Sequence, residues 1–324
     1  MDRRLDLEIA QLVGEPINPQ LPVPVALAEI ADVATAEPGE HVWRIKDLDE
    51  TVDVVLNVDS NGVMTPVKRT PLTDVELSFT GLNSKLEYVL VEDVLNKIDT
   101  NALARRKSSI TRGMDKAELK IILDALLTPT NTVFPQNEVG GYSVTVASGD
   151  DLYDVFMKAK HGVEDYGDNY VALVGTTVKE KIDTYDKDSA TSFNYNITLV
   201  DRLSKVGISI RKIFGKVSRA SNETESSLLD PKKMILVARD STIANGKPIE
   251  FVRRKITPDI AKLMGADVDS AQRAIIVGLT PVNVDVSGTM QNVLGYSIFG
   301  YESIVMCVKN PKAIATADLT SILS

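Results

Sequence analysis

Residues 14–25, GEPINPQLPVPV, constrain this chain more than any other stretch. Pro16, Pro19, Pro22 and Pro24 lie within it, four of the chain's 14 prolines. Each proline fixes φ and removes a backbone donor, so the segment is driven to extended or polyproline geometry and builds no hydrogen-bond ladder of its own. Yet Ile17, Leu21, Val23 and Val25 call for burial. An extended apolar arm is satisfied by lying across something else, either the chain's own core or a neighbouring copy. Upstream, Leu5, Ile9 and Leu12 recur at helical spacing over residues 2–13, and Gly14 supplies the stop.

A second segment has the same problem. VDVVLNV runs into Asp59-Ser60-Asn61-Gly62 and returns as VMTPVKR, which reads as a hairpin over 52–69 because Asn-Gly is the strongest short turn signal. Pro66 and Pro71 confine that ribbon to an edge or to free space. Isolated two-stranded ribbons are marginal in water, so this one needs a surface to rest on.

Beyond it, residues 74–95 read as mixed strand and turn leading into a helix. The longest helix is expected over 101–127, where Leu103, Ile110, Met114, Ala117, Ile121 and Ala125 form one stripe. Asp99 or Thr100 would cap its start and Thr128-Pro129 end it. Gly113 marks a place for a bend or break. An α/β lobe follows. Its first helix, 150–162, takes Asp150 or Ser148 as cap and turns Leu152, Val155, Phe156 and Ala159 inward, with Gly162 past its end. YVALVGT is a buried strand and TTVKEKID opens a helix. VGISIRKIF and KMILVARD are strands, SRASNETESS an exposed loop, and TPDIAKLMG a short helix. The last third, AIIVGLTPVNVDV and then GYSIFGYESIVMCV, is strand-rich and closes with NPKAIA.

Composition excludes several classes of function. The chain has 324 residues, 44% of them hydrophobic and 25% charged, enough for a sizeable core. A formal charge of −9 argues against a protein whose task is gripping nucleic acid, though an acidic wall can still enclose it. Cys307 is the single cysteine; it excludes an intramolecular disulfide, and its setting in IVMCV makes it a buried small hydrophobe. No apolar run approaches the roughly 18 residues of a membrane span. The charged N-terminus is no signal peptide, which gives the expectation of a cytosolic product.

The search for chemistry finds no constellation. His41 and His161 lie far apart, and only Glu164 accompanies His161, which reads as a surface histidine at a helix end. Gly175-Thr176-Thr177 before a helix lacks the flanking glycines and lysine of a phosphate loop, so a capping threonine is the reading there. Arg105, Arg106, Lys107 and Arg112 form a basic patch, read as a solvated helix face or one paired with acidic groups across a subunit contact. No catalytic, cofactor-binding or metal-binding residue is assigned.

The order of parts resembles the Hong Kong 97-type fold of tailed-phage major capsid proteins. ALARRKSSITRGMDKAELKIILDALL looks like that family's spine helix, and the hairpin around Asp59–Gly62 like its extended loop. DDLYDVFMKAKHGVEDYGDNYVALVG is similar to the start of the axial lobe, and GYSIFGYESIVMCVKNPKAIA to the closing strand. The resemblance implies an α+β subunit divided into an N-terminal arm (1–45), an extended hairpin loop (46–86), a peripheral domain with the spine helix (87–147), an axial domain (148–280) and return strands (281–324).

It further implies a non-enzymatic coat protein that assembles with itself, in pentamers and hexamers, into an icosahedral shell around phage double-stranded DNA. That DNA would be enclosed without sequence-specific contact. The expected location is the virion capsid, assembled in the host cytoplasm, with scaffold, portal and decoration proteins as further partners, no cofactor and no membrane. The expected inter-subunit contacts are Pro16, Ile17, Leu21 and Val23 on the arm and Asn61, Gly62, Lys68 and Arg69 on the ribbon. Two other readings stay open: an encapsulin-like nanocompartment shell, and an α/β enzyme or ligand-binding protein with its site in the 150–250 lobe.

Overall fold

The computed structural model describes residues 25–46, 74–84, 86–90, 102–129, 140–189, 198–218, 225–241, 246–256, 272–286 and 288–323. A short helix α1 (Leu27–Ile30) leads into strand β1 (Asp32–Ala36). Strand β2 (Val42–Lys46) pairs antiparallel with β3 (Asp74–Ser78), so residues 47–73 are bracketed by a closed strand pair. Next come β4 (Thr80–Asn83), β5 (Glu87–Leu90), the long helix α2 (Ala102–Leu127) and β6 (Tyr142–Val144). Helix α3 (Leu152–His161), β7 (Gly167–Val174), α4 (Thr176–Ser189), α5 (Leu199–Lys205) and β8 (Ile208–Lys212) follow. A two-residue pair, β9 (Lys216–Val217) and β10 (Ser226–Ser227), precedes β11 (Lys233–Ser241) and β12 (Ile249–Arg254). The chain closes with β13 (Arg273–Val286), β14 (Thr289–Val308) and β15 (Ile314–Asp318).

These strands make two main sheets. In the first, β13 and then β12 run antiparallel along one edge of β14, β5 and β4 line its other edge, and β1 adds parallel to β12. The second has the order β6-β15-β11-β7-β8. Its central strand β11 is antiparallel to both neighbours, and β7 and β8 are parallel. Both faces of this sheet are covered. Tyr170, Ala172 and Val174 of β7 pack with Leu152, Val155, Phe156 and Ala159 of α3 and with Val178, Ile182, Leu199 and Leu203. Val171 and Leu173 point the other way, toward Leu119, Ile122, Leu123 and Leu126 of α2. A strand buried on both faces reads as a continuous apolar run, which is why YVALV does not alternate.

Several expectations change in detail. Helix α2 runs unbroken through Gly113. Its buried face is Ile110, Thr111, Met114, Glu118, Leu119, Ile122, Leu123 and Leu126, whereas Ala117, Ile121 and Ala125 are only partly buried. The expected stripe drifts off the core because the helix leaves one sheet for the other along its length. The cap of α3 is Asp151, which accepts from Leu152 N, while Asp150 accepts from Ala147 N and pairs with Lys158. Residues 25–36, drawn within the arm, lie on the chain's own globule: Val25, Ile30 and Ala31 share a core with α2, and β1 pairs with β12. Residues drawn in the hairpin loop also enter the first sheet, as β4 on β14. The arm proper, the hairpin 52–69 and the short helix of TPDIAKLMG lie outside the described residues.

Two glycines are required by close approach. At Gly300 a Cβ would sit 2.4 Å from Met114 Sδ and 2.8 Å from Ile110 Cγ2, so its absence lets α2 settle onto β14. At Gly175 a Cβ would meet the backbone oxygens of Asp230 at 2.2 Å and Pro231 at 2.4 Å. Met114 is flexible and backbone is not. Gly175→Ala is therefore expected to cost about 2–3 kcal/mol, read as a lowered midpoint in urea unfolding with an unchanged slope.

Candidate functional site: an ionic joint between the long helix and the sheet

The middle of α2 meets the first sheet through charge. Thr111, Asp115 and Glu118 recur at spacings of four and three, which places them on one helix face. Opposite them stand Arg253 of β12, Arg273 of β13 and Glu302 of β14, the last two being register partners. Arg253 forks onto Glu118, Nε to Oε1 at 2.6 Å and Nη2 to Oε2 at 2.7 Å. Arg273 holds three carboxyls together: Nε to Glu302 Oε2 at 2.6 Å, Nη1 to Asp115 Oδ1 at 2.7 Å and Nη2 to Glu118 Oε1 at 3.3 Å. Its Nη1 also approaches the Thr111 carbonyl at 3.4 Å. Such forks are strong and geometrically demanding, because the guanidinium is planar.

Glu302 is 0% exposed and Glu118 1%. Burial first, and the like charge of Glu118 second, push the Glu302 carboxyl up to about 7, against the pull of Arg273. Burial works against the charge on Arg273 and Arg253, but Glu302, Glu118 and Asp115 around the first and Glu118 beside the second outweigh it, so both stay firmly charged. Two oxygens, Glu302 Oε1 and Asp115 Oδ2, are buried with no hydrogen-bond partner.

A second polar contact fastens the entering chain. Asp32 of β1 accepts from Lys309 Nζ at 2.8 Å and from the Lys247 backbone N–H at 2.9 Å. Glu250 lies 3.7 Å from the same Lys309 nitrogen and accepts from Trp43 Nε1 at 2.8 Å. Beyond Gly295 the strands β13 and β14 continue as a ribbon paired to each other and turned at Gly288, whose φ is +82°. On it Met290 and Leu294 are 68% and 48% exposed.

The eight residues expected to contact other subunits, Pro16, Ile17, Leu21, Val23, Asn61, Gly62, Lys68 and Arg69, lie outside the described residues. His161 is exposed at the end of α3, its Nδ1 3.0 Å from Glu164. Among the described residues no three His, Cys, Asp or Glu side chains gather as metal ligands. Cys307 is buried, and burial pushes its thiol up to about 12. At Gly175-Thr176-Thr177, where a capping threonine is expected, the Thr177 and Val178 N–H groups donate to the Pro231 carbonyl, which seals that helix start against a phosphate. In the basic patch, Arg106 pairs with Glu87 of β5 at 3.2 Å. Sequence reasoning missed the joint. Its signal was Asp115 and Glu118 beside an apolar stripe, together with Glu302 set inside GYESIVM.

No family model matches the sequence, and no curated protein does. Solved structures do. The capsid of an empty GTA particle superposes with a TM-score of 0.51 at 11% identity, covering 94% of this chain and 99% of the other. The chain has the Hong Kong 97-type capsid fold. Two further likenesses are to a putative capsid protein of a prophage of E. coli CFT073 (TM-score 0.49, 13% identity, 92% and 93% covered) and to a virus-like particle from Pyrococcus furiosus (TM-score 0.47, 13% identity, 97% and 98% covered). The α+β expectation and the fold resemblance both hold. Within this Hong Kong 97-type subunit the ionic joint is where the long helix is keyed to the longest strand. Arg273→Leu strips three buried carboxyls of their shared partner. It is expected to cost about 3–5 kcal/mol at neutral pH, measured by urea unfolding.

Proposed function

We propose that the chain is a major capsid protein whose copies close into an icosahedral shell around phage double-stranded DNA. The observation that carries this is the fold likeness over nearly the whole length of both chains, 94% and 99%, since a shared scaffold without large additions leaves little room for a separate activity. Surface features support it. Strand β13 is a 14-residue edge with no further strand on its outer side among the described residues. Such an edge is a template for pairing, and Pro281 within it is tolerated only because an edge can spare a donor. The apolar side chains of the 289–294 ribbon point the same way. Among the described residues no helix is long and apolar enough to cross a membrane.

In this reading Pro16, Ile17, Leu21 and Val23 of the arm, and Asn61, Gly62, Lys68 and Arg69 of the hairpin loop, lie on neighbouring subunits in the pentamers and hexamers of the shell. Contacts of that length exceed the roughly 1,600 Å² of a standard stable interface. The net charge of −9 suits a wall that encloses DNA without gripping its sequence. Assembly takes place in the host cytoplasm, where scaffold, portal and decoration proteins complete the particle.

Expression with its scaffold, followed by negative-stain microscopy and sedimentation velocity, is expected to give closed shells. The double variant Ile17→Asp/Leu21→Asp is expected to leave subunits that melt within about 2 °C of the parent, because a surface change away from the core moves stability by only about 0.5 kcal/mol, and to form no shells. A strictly monomeric parent at high concentration with scaffold present, or shells filled with a cargo enzyme and no nuclease-protected DNA, would overturn the proposal.

A further inference from the structure

The ionic joint is short of positive charge. Asp115, Glu118 and Glu302 bring three carboxyls to the two guanidiniums of Arg253 and Arg273. With every group ionised, one negative charge is left unbalanced in a region where Glu302 is wholly buried. Buried charge is costly unless it is paired, and a carboxyl in such a place sheds the cost by taking a proton.

Geometry says which carboxyl takes it. Both oxygens of Glu118 receive guanidinium donors. Asp115 also has one oxygen on Arg273 and the other unpartnered, but its side chain is 15% exposed where that of Glu302 is 0%. Glu302 accepts from Arg273 through Oε2 alone, its Oε1 has no partner, and it lies against Glu118 closely enough for a carboxyl–carboxylate hydrogen bond. A proton on Oε1 turns that orphan acceptor into a donor and balances the charge at the same time. The remaining element packed on Glu302 is β4, which sets Leu82 opposite it and adds no titratable group.

We propose that Glu302 carries a proton in the folded protein at neutral pH and that its loss is a built-in switch loosening α2 from β14. Glu118 stands on the helix and Glu302 on the strand, so once both are ionised they repel directly across the helix–sheet contact. This rests on the joint alone and not on the capsid reading, and it is measured on unassembled subunits.

The sign follows from the proton count. The unfolded chain loses this proton near 4.5 and the folded chain near 7. Between those values the folded protein holds more protons than the unfolded one, so stability falls as pH rises through the window and is level above it. Glu302→Gln keeps an accepting oxygen for Arg273 and a neutral donor toward Glu118.

The experiment compares urea unfolding of the parent and Glu302→Gln from about pH 5 to about pH 8. The expected result is that the ratio of their folding constants swings toward the variant by on the order of 100-fold across that range, as a shift of two to three pKa units requires. Infrared spectra of the parent should show a protonated-carboxyl band at pH 6 that fades through pH 7 to 8 and is missing from the variant. Parallel pH profiles, or a variant weaker by the same amount at every pH, would overturn the switch and leave an ordinary ion pair. Should the variant fail to fold, glutamate carboxyl titration by carbon-13 NMR on the parent decides alone: every glutamate titrating near 4.5 sinks the idea.

Discussion

The structure depends on one helix lying across two sheets at once. The second half of α2 sends Leu119, Ile122, Leu123 and Leu126 into the core shared with β7 and β11, all of them fully buried. Its first half approaches β14 so closely that residue 300 has no room for a side chain. A 26-residue helix is about 39 Å long, so its two ends answer to different partners.

From that strut the rest of the chain can be ordered by what it can satisfy by itself. The second sheet is closed: helices cover one face, α2 covers the other, and its strands need nothing more. Among the described residues the first sheet has no further strand on β13 and carries exposed apolar side chains on its ribbon. The proline-rich run before Val25 has few backbone donors to offer any sheet.

Much of the closed part was legible in the sequence. Leu152, Val155, Phe156 and Ala159 carry a clean helical period, and each falls in the core. The bounds of α2 and the buried strands YVALV and KMILVAR were also readable, because local pattern and tertiary burial agree there. The first sheet was harder. The pairing of β1 with β12 joins residues more than 200 positions apart, and nothing local to DVATA announces a partner. The ionic joint was invisible for a different reason. Arginine and glutamate in a strand normally mark a solvent face, and only the approach of α2 turns Arg273 and Glu302 inward. The cap at Gly175 misled in the same way, since the acceptor that seals the helix comes from Pro231 and not from the nearby threonines.

That the joint is ionic and not apolar has a consequence for how the strut behaves. An apolar contact of the same size would hold the helix as well or better, since buried ion pairs rarely add net stability. Greasy surfaces, however, tolerate small slides. Arg273 does not: held beside Glu302 on the sheet, it must meet Asp115 and Glu118 together, and a rotation of α2 by one residue, about 100°, would break both helix contacts. The last turns of the helix thus supply adhesion and Asp115 and Glu118 near its middle supply registry. Adhesion is hard to release, whereas registry kept by five charges responds to a single proton. If the strut yields anywhere it will be near its middle, where it faces the first sheet, and the last turns will stay seated in the closed one.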